Sequence, residues 1–519
     1  MLAQQRVEQW DRFETTLRYR PGRNGYLDVT LSATFTGPDT ALTVSGFYDG
    51  GDAFKIRFMP ERIGTWHFST SSNVPALDKK HGSFECIRAS SGNHGMVRVS
   101  DATSFAYADG KRFYPVGTTA YAWIHMKEER QERTLQTLAA TGFNKVRMCV
   151  FPKEYDLIKS RPERYPYAVK ERGADGSGRE RILWDFETFD PDFFRHLERR
   201  VDDLRRLGIE ADLILFHPYD KGRWGFDAMP REVDRRYVQY LVARLSSFRN
   251  VWWSMANEWD YVKSKSHDDW EELSKLVVAS DPYRHLCSIH GSTASYYEYW
   301  EGQFTHVSIQ DDAPVQYRGG AATLRNVYHK PVICDEVGYE GNLKYRWGRL
   351  SPEEITYRAW MGALAGIYVT HGECYMSEND TASIFWAEGG DLKGKSWQRF
   401  AFLRRILEEG PGPLSMSDIG RDYYTASAGR GYYIIYFGKD TLEDWAFSLP
   451  IRNSGYGRVA AGTRFKVEII DTWGMTIEQC PTVFETTAEI DYRVYDTARK
   501  RVRLPSKPYI ALRVTGVDW

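Results

Sequence analysis

Between residues 113 and 373 the chain alternates eight short apolar runs with longer amphipathic segments, and this rhythm limits the fold more than any other feature. The runs are FYPVGTTAY (113–121), FNKVRMCVF (143–151), EADLILFHP (210–218), VWWSMANEW (251–259), HLCSIHG (285–291), HVSIQDD (306–312), PVICDEVGY (331–339) and GIYVTHGE (366–373). Segments such as FFRHLERRVDDLRRLG, DRRYVQYLVARLSSF and EEITYRAWMGALA carry apolar residues at helical spacing, and several stop at Gly or near Pro, where helices end. A nearly continuous apolar strand is buried on both faces, as in a parallel sheet covered by helices. Eight strand–helix repeats in about 300 residues predict a (β/α)₈ TIM barrel over 96–412. A doubly wound sheet is the alternative; it wants a Gly-rich phosphate turn after the first strand, and GTTAY is not one.

The flanks change rhythm. Residues 1–95 carry alternating runs such as LDVTLSATF, AFKIRFMP and TWHFSTSS between Gly, Pro, Asn and Asp turns, which predicts a β-sandwich. After GPGPL, residues 413–519 return to runs such as GYYIIYFG, RFKVEIIDT and YIALRVTG, predicting a second β-sandwich. The polar and aromatic stretch 153–190 follows the second barrel strand and is expected to form a lid or subsite wall.

Charge and composition remove several function classes. A net charge of −1 supplies no basic field for nucleic acid or anionic lipid, and no apolar run is long enough to span a membrane. The scattered cysteines, with no C-x-x-C, argue against a disulfide framework or a zinc site, and no cofactor is called for. Aromatic residues make up 15%; they serve β-sheet cores first, but the C–H faces of sugars also pack on indole and phenol rings. The opening MLAQQRVEQWDRFE lacks an export signal, so a cytoplasmic protein is expected.

In a (β/α)₈ barrel the C-terminal strand ends converge on one cavity, so polar residues there are the candidates for chemistry. The fourth strand ends in Asn257–Glu258 and the seventh in Asp335–Glu336. Two carboxyl groups facing each other across a rim suit glycosidic cleavage, one protonated to protonate the leaving oxygen, the other ionised to attack or to activate water. Asp335, Glu340 and Glu373 are the competing carboxylates, and a rim salt bridge is the plain alternative for Glu258.

These residues resemble the large clan of retaining glycosidases that place an Asn-Glu pair at the end of strand four and a Glu at the end of strand seven. The resemblance implies Glu258 as acid/base and Glu336 as nucleophile, with Asn257 on the sugar 2-hydroxyl, Arg147 beside the nucleophile and Trp386 as a platform under the sugar. The segments GFYDGGDAFKIRFMPERIGTWHF, RFYPVGTTAYAW and FWAEGGDLKGKSWQRFAFLRRI also resemble cellulase-like and apiosidase-like bacterial glycosidases with a β-sandwich on each side of the barrel. A retaining enzyme holds its two carboxyl groups about 5–5.5 Å apart, an inverting one roughly 6.5–9.5 Å.

His217 and His290, near strand ends, are expected on sugar hydroxyls, with rim structure as the plain alternative; His125 and His371 lie at similar positions. Trp123, Trp224, Trp259 and Gln310 are wall candidates, and Asp220, like Asp311–Asp312, either bonds a hydroxyl or caps a helix. Two rivals remain at this stage. A metal-dependent barrel hydrolase would use the same histidines, although no H-E-x-x-H helix exists. A non-catalytic carbohydrate-binding protein would use the aromatic rings alone. The flanking sandwiches can bind carbohydrate, shape the rim or join copies of the chain into a homo-oligomer.

Overall fold

The computed structural model describes residues 5–518 except 159–160, 175, 177, 179, 317–319, 377–383, 419–422 and 454–456. Its centre is a TIM-barrel-like unit. Each of the eight apolar runs contains a strand: β1 (Gly117–Thr119), β2 (Lys145–Cys149), β3 (Glu210–Phe216), β4 (Val251–Ala256), β5 (Cys287–Ser288), β6 (Val307–Ile309), β7 (Val332–Cys334) and β8 (Tyr368–Val369). Strands β1 to β5 pair in parallel in chain order, and β6 to β8 do the same. Single parallel bridges, His290 with Ser308 and Thr118 with His371, lie at the two seams between these sheets.

Helices α1 (Glu128–Ala139), α2 (Pro191–Arg206), α3 (Arg231–Leu245) and α4 (His267–Ser280) follow the first four strands. Asp190 caps α2 by accepting from the Asp192 N–H, with Pro191 in the first turn. A reciprocal Ser266–Asp269 box starts α4. The repeat breaks once. Among the described residues no helix joins β5 to β6; the connection instead buries Tyr297, Tyr299 and Phe304 against the barrel core.

Residues 6–87 carry a β-rich unit with two sheets. One orders Arg6–Glu8, His81–Ile87, Gly64–Ser72, Leu31–Gly37 and Thr40–Ser45; the other sets Ala53–Phe58 between Phe13–Arg18 and Phe47–Tyr48. Their shared core is aromatic: Phe35 stacks on Phe58 at 4.1 Å and Phe13 on Phe84 at 4.4 Å. This unit is fastened to the barrel by buried charge. Arg57 and Arg244 both engage Glu198 of α2, and Arg244 also pairs with Asp49 at 2.9 Å. Burial opposes ionisation of Glu198, but the two guanidiniums outweigh it and hold its carboxyl down at about 2.

Phe113, expected in the first barrel strand, belongs instead to Arg112–Phe113, which pairs with Ser104–Tyr107 in a small antiparallel sheet. That sheet packs Phe105 and Phe113 on Trp252, near the start of β4. The C-terminal part is β-rich, with a seven-stranded sheet. In Tyr432–Tyr436, the alternate residues Ile434 and Tyr436 belong to the barrel core, while Tyr433 and Ile435 belong to the domain's own core. Two apolar faces at period two explain why this strand reads as an unbroken apolar run.

The 153–190 stretch forms a hairpin, Tyr167–Ala174 with Glu180–Phe189. It docks sideways, with Trp184 on Phe226 at 5.2 Å and its indole N–H donated to the Trp224 carbonyl. Among the described residues of the stretch, only Lys153 and Tyr155 line the cavity described next, so most of what is described of the expected lid is a buttress.

Candidate active site

Inside the barrel, β2 places Lys145 and Arg147 on the same inward face, two residues apart. Lys145 Nζ bridges Asp212 at 2.7 Å and Asp335 at 2.8 Å. Asp335 also accepts from Ser308 Oγ at 2.6 Å and Thr370 Oγ1 at 2.8 Å. Burial opposes its ionisation, yet Lys145 and Arg147 hold the carboxyl well below the usual carboxylate range. Asp335 is therefore the floor of the site, and its neighbour Glu336 faces the other way.

Arg147 lies beside this floor. Its Nη2 donates to Asn257 Oδ1 at 3.2 Å, and its Nη1 lies 3.6 Å from Glu336 Oε1. Tyr121 reaches the same pair: its hydroxyl is 3.1 Å from Asn257 Oδ1 and donates to Glu336 Oε1. Burial first, and the Glu336 charge second, push the Tyr121 phenol well above its ordinary range, so it stays a donor. His290 completes the setting, 3.6 Å from Glu336 Oε1 and 3.0 Å from Ser308 Oγ; burial pulls it down to about 4, leaving a neutral ring.

Above these groups opens a cavity of about 530 Å³, on which Glu258, Glu336, Gln310 and Trp386 all border. Glu258 gets there through its backbone. Asn257 is still tied to the barrel, its N–H donating to the Phe216 carbonyl, but Glu258 takes φ +51°. That left-handed conformation costs a non-glycine residue on the order of 1 kcal/mol and turns the chain out of the strand. Burial and then the neighbouring Glu336 charge raise the Glu258 carboxyl to about 7, and its Oε2 has no protein hydrogen-bond partner among the described residues.

The structure divides the other residues singled out from sequence. Trp386 borders the cavity, edge-on to Tyr121 at 5.3 Å. Asn257 is buried behind it, holding Arg147 and Tyr121. Three expected contacts are placed elsewhere. Trp123 is fully buried in the barrel core, with its N–H against Met148 Sδ at 3.3 Å. His217 is buried with Nε2 3.2 Å from the Phe151 carbonyl, and burial pulls it down to about 3. Asp220 is spent on its own loop, accepting the N–H groups of Trp224, Gly225 and Phe226. In each case a polar atom of the side chain already has a partner within the protein. Trp224 is likewise buried, and Trp259 packs edge-on to Tyr297.

Glu340 and Glu373, the competing carboxylates, fasten the segment before the helix Ser396–Glu409. Glu373 accepts the N–H groups of Lys393 and Gly394, and Glu340 those of Lys395 and Ser396. With His371 they bring ligand-type atoms within 4.8 Å of one another, but the carboxylate oxygens already serve four backbone amides. The cluster is a loop anchor.

Tyr121, Tyr339 and Trp347 were not expected in the site, and Lys153 only as the first residue of the 153–190 stretch. Tyr121 is the last residue of the first apolar run, where side chains converge on the mouth, so its position was a usable signal; Trp347 sits in a segment whose path no spacing reveals.

Comparison with known proteins places the chain. A model of the apiosidase-like catalytic domain matches residues 100–411, more than half of the sequence. The chain belongs to the apiosidase-like family. Domains of unknown function DUF5060 and DUF5605 match residues 6–73 and 422–515. A solved candidate glycoside hydrolase from Bacteroides vulgatus is 58% identical, covers 99% of this chain and 100% of its own, and superposes with a TM-score of 0.97. A family 5 glycoside hydrolase from the same organism shares the fold at 15% identity and a TM-score of 0.57, over 82% of this chain and 94% of its own. A further glycoside hydrolase does so at 14% identity and a TM-score of 0.58, over 82% and 98%. No curated protein matches the chain.

Proposed function

We propose that this apiosidase-like family member is a retaining glycoside hydrolase acting from a closed (β/α)₈ barrel flanked by two β-sandwiches, with domain boundaries near residues 95 and 412. Membership of the family and the 58% identical relative support a hydrolase of glycosides. The observation that carries the mechanism is the unlike environment of two carboxyl groups on one cavity. Glu336 lies beside Arg147 and accepts the Tyr121 O–H, whereas Glu258 is buried, raised to about 7 and has an oxygen with no hydrogen-bond partner among the described residues.

Glu336 attacks the anomeric carbon while Glu258 gives its proton to the departing oxygen, so the C–O bond to the leaving group breaks as the bond to Glu336 forms. Glu258, now ionised, takes a proton from water, whose oxygen attacks the same carbon and releases Glu336. Exo action on oligosaccharides or small glycosides goes with this reading. The test is the anomer of the first product, followed by NMR before mutarotation, on whichever aryl glycoside of a broad panel is cleaved. Retention is expected; inversion would sink the double displacement.

Two results should accompany retention. Glu258 must be protonated to act as acid, and its pKa is raised from 4.5 to about 7, so kcat/KM should hold below neutrality and fall as pH rises through about 7. Activity already falling through pH 5 would remove Glu258 from that role. Tyr121→Phe deletes a hydrogen bond to a charged acceptor, which costs about 1.5–3 kcal/mol, so kcat/KM should drop roughly 10- to 100-fold. Unchanged kinetics would show that Glu336 does not need the phenol.

A further inference from the structure

Lys153, just beyond β2, is the least explained group in the cavity. Its residue is 3% exposed, yet it borders the cavity space beside Glu258 and Glu336. Four aromatic rings surround the ammonium: Nζ lies 3.8 Å from the centroid of Tyr121, 4.0 Å from Tyr219, 4.9 Å from Trp386 and 5.5 Å from Tyr155. Ring faces stabilise a cation but accept none of its N–H bonds in the way an oxygen does. Among the described residues no carboxylate lies within ion-pair distance of Nζ, whereas the equally buried Lys145 has two.

A buried ammonium without a counter-ion is costly, and its three donors can only be satisfied from the cavity side. Glu336 is already engaged by Arg147 and Tyr121. Arg346, an exposed guanidinium on the same cavity with no ion-pair partner among the described residues, adds positive potential at the rim. The position of Lys153 also says which sugar is concerned. Tyr121 presents its ring to Lys153 and its hydroxyl to Glu336, so the ammonium is one side chain away from the nucleophile.

We infer that the sugar unit attacked by Glu336 carries a carboxylate, as a uronic acid does, and that Lys153 is its counter-ion. This rests on the glycoside hydrolase reading for the place of the sugar, but not on turnover. Three features of the cavity then act together: the rings exclude water around the ammonium, Lys153 pairs with the carboxylate, and the pairing sets the ring's orientation against Glu336.

The experiment is calorimetric titration of the full-length protein with D-glucuronate and D-galacturonate, each beside its neutral counterpart, D-glucose or D-galactose. A charge-assisted contact in a water-poor site should favour at least one uronate about tenfold or more. Lys153→Met should bring that ratio to within about twofold, and Lys153→Arg should keep most of it. Because the result is a ratio of two dissociation constants in one preparation, a loss of folded protein does not move it. Wild type that binds neither uronate more tightly than its neutral counterpart, or a preference that survives in Lys153→Met, overturns the inference. Binding needs no catalysis, so the glutamates can fail their own test with this result intact, and the reverse.

Discussion

Replacing Glu336 with Ala is expected to lower kcat by roughly 10⁴-fold or more on any glycoside the wild type cleaves, the scale seen when a covalent nucleophile is removed. The carboxylate is the point where Arg147, Tyr121 and His290 converge, and none of these can form the bond to the anomeric carbon in its place. Azide separates this role from that of Glu258. In Glu336→Ala it should enter from the face the carboxylate occupied and give a glycosyl azide of inverted configuration. In Glu258→Ala the intermediate on Glu336 still forms, so the azide product should keep its configuration. The assay is NMR of the azide product from both variants. Full activity in Glu336→Ala would move the chemistry elsewhere on the rim.

The second large effect is on stability. Glu198 accepts from Arg57 of the N-terminal unit and from Arg244 of α3, and all three are buried. Glu198→Ala leaves two guanidiniums facing each other without their shared anion, and breaking such a pair costs about 3–5 kcal/mol. The first unfolding transition, followed by circular dichroism or calorimetry at pH 7, should fall by several degrees. An unchanged transition would mean that the charges relax into solvent and the seam is held by apolar contact.

The pH dependence gives the sign. The folded-state pKa of Glu198 is depressed to about 2 from its ordinary 4.5. Its contribution is therefore present in full above about 4.5 and is lost as pH falls through about 2. The stability gap between wild type and Glu198→Gln should narrow over that window and nowhere above it.

Much of the barrel could be read from the chain itself. The eight strands fall inside the eight apolar runs because a strand buried on both faces tolerates few polar residues, and that constraint is local and periodic. The same logic brings Glu258 and Glu336 to one cavity, since strand ends in such a unit converge whatever lies between them. Periodicity misled where an apolar run served two purposes. Arg112–Phe113 continues into β1 in sequence but leaves it in space, and the link from β5 to β6 buries three aromatic rings where a helix was expected.

The sequence by itself determined the strand order's raw material, the pair of glutamates and the β-rich flanks, because burial pattern and residue type are properties of short segments. Only the tertiary structure decided which polar residues face the cavity. Asp335 and Glu336 are adjacent in the chain, yet one is locked by Lys145, Ser308 and Thr370 and the other borders open space. Trp123, His217 and Asp220 looked equally placed, but each engages a backbone or core partner instead of lining the cavity. Lys153 opens the stretch expected as a lid or subsite wall, but nothing in the sequence marks its aromatic cage, which is drawn from four separate segments of the chain. A side chain's partners are set by distances between segments far apart in sequence, and those distances exist only once the core has closed.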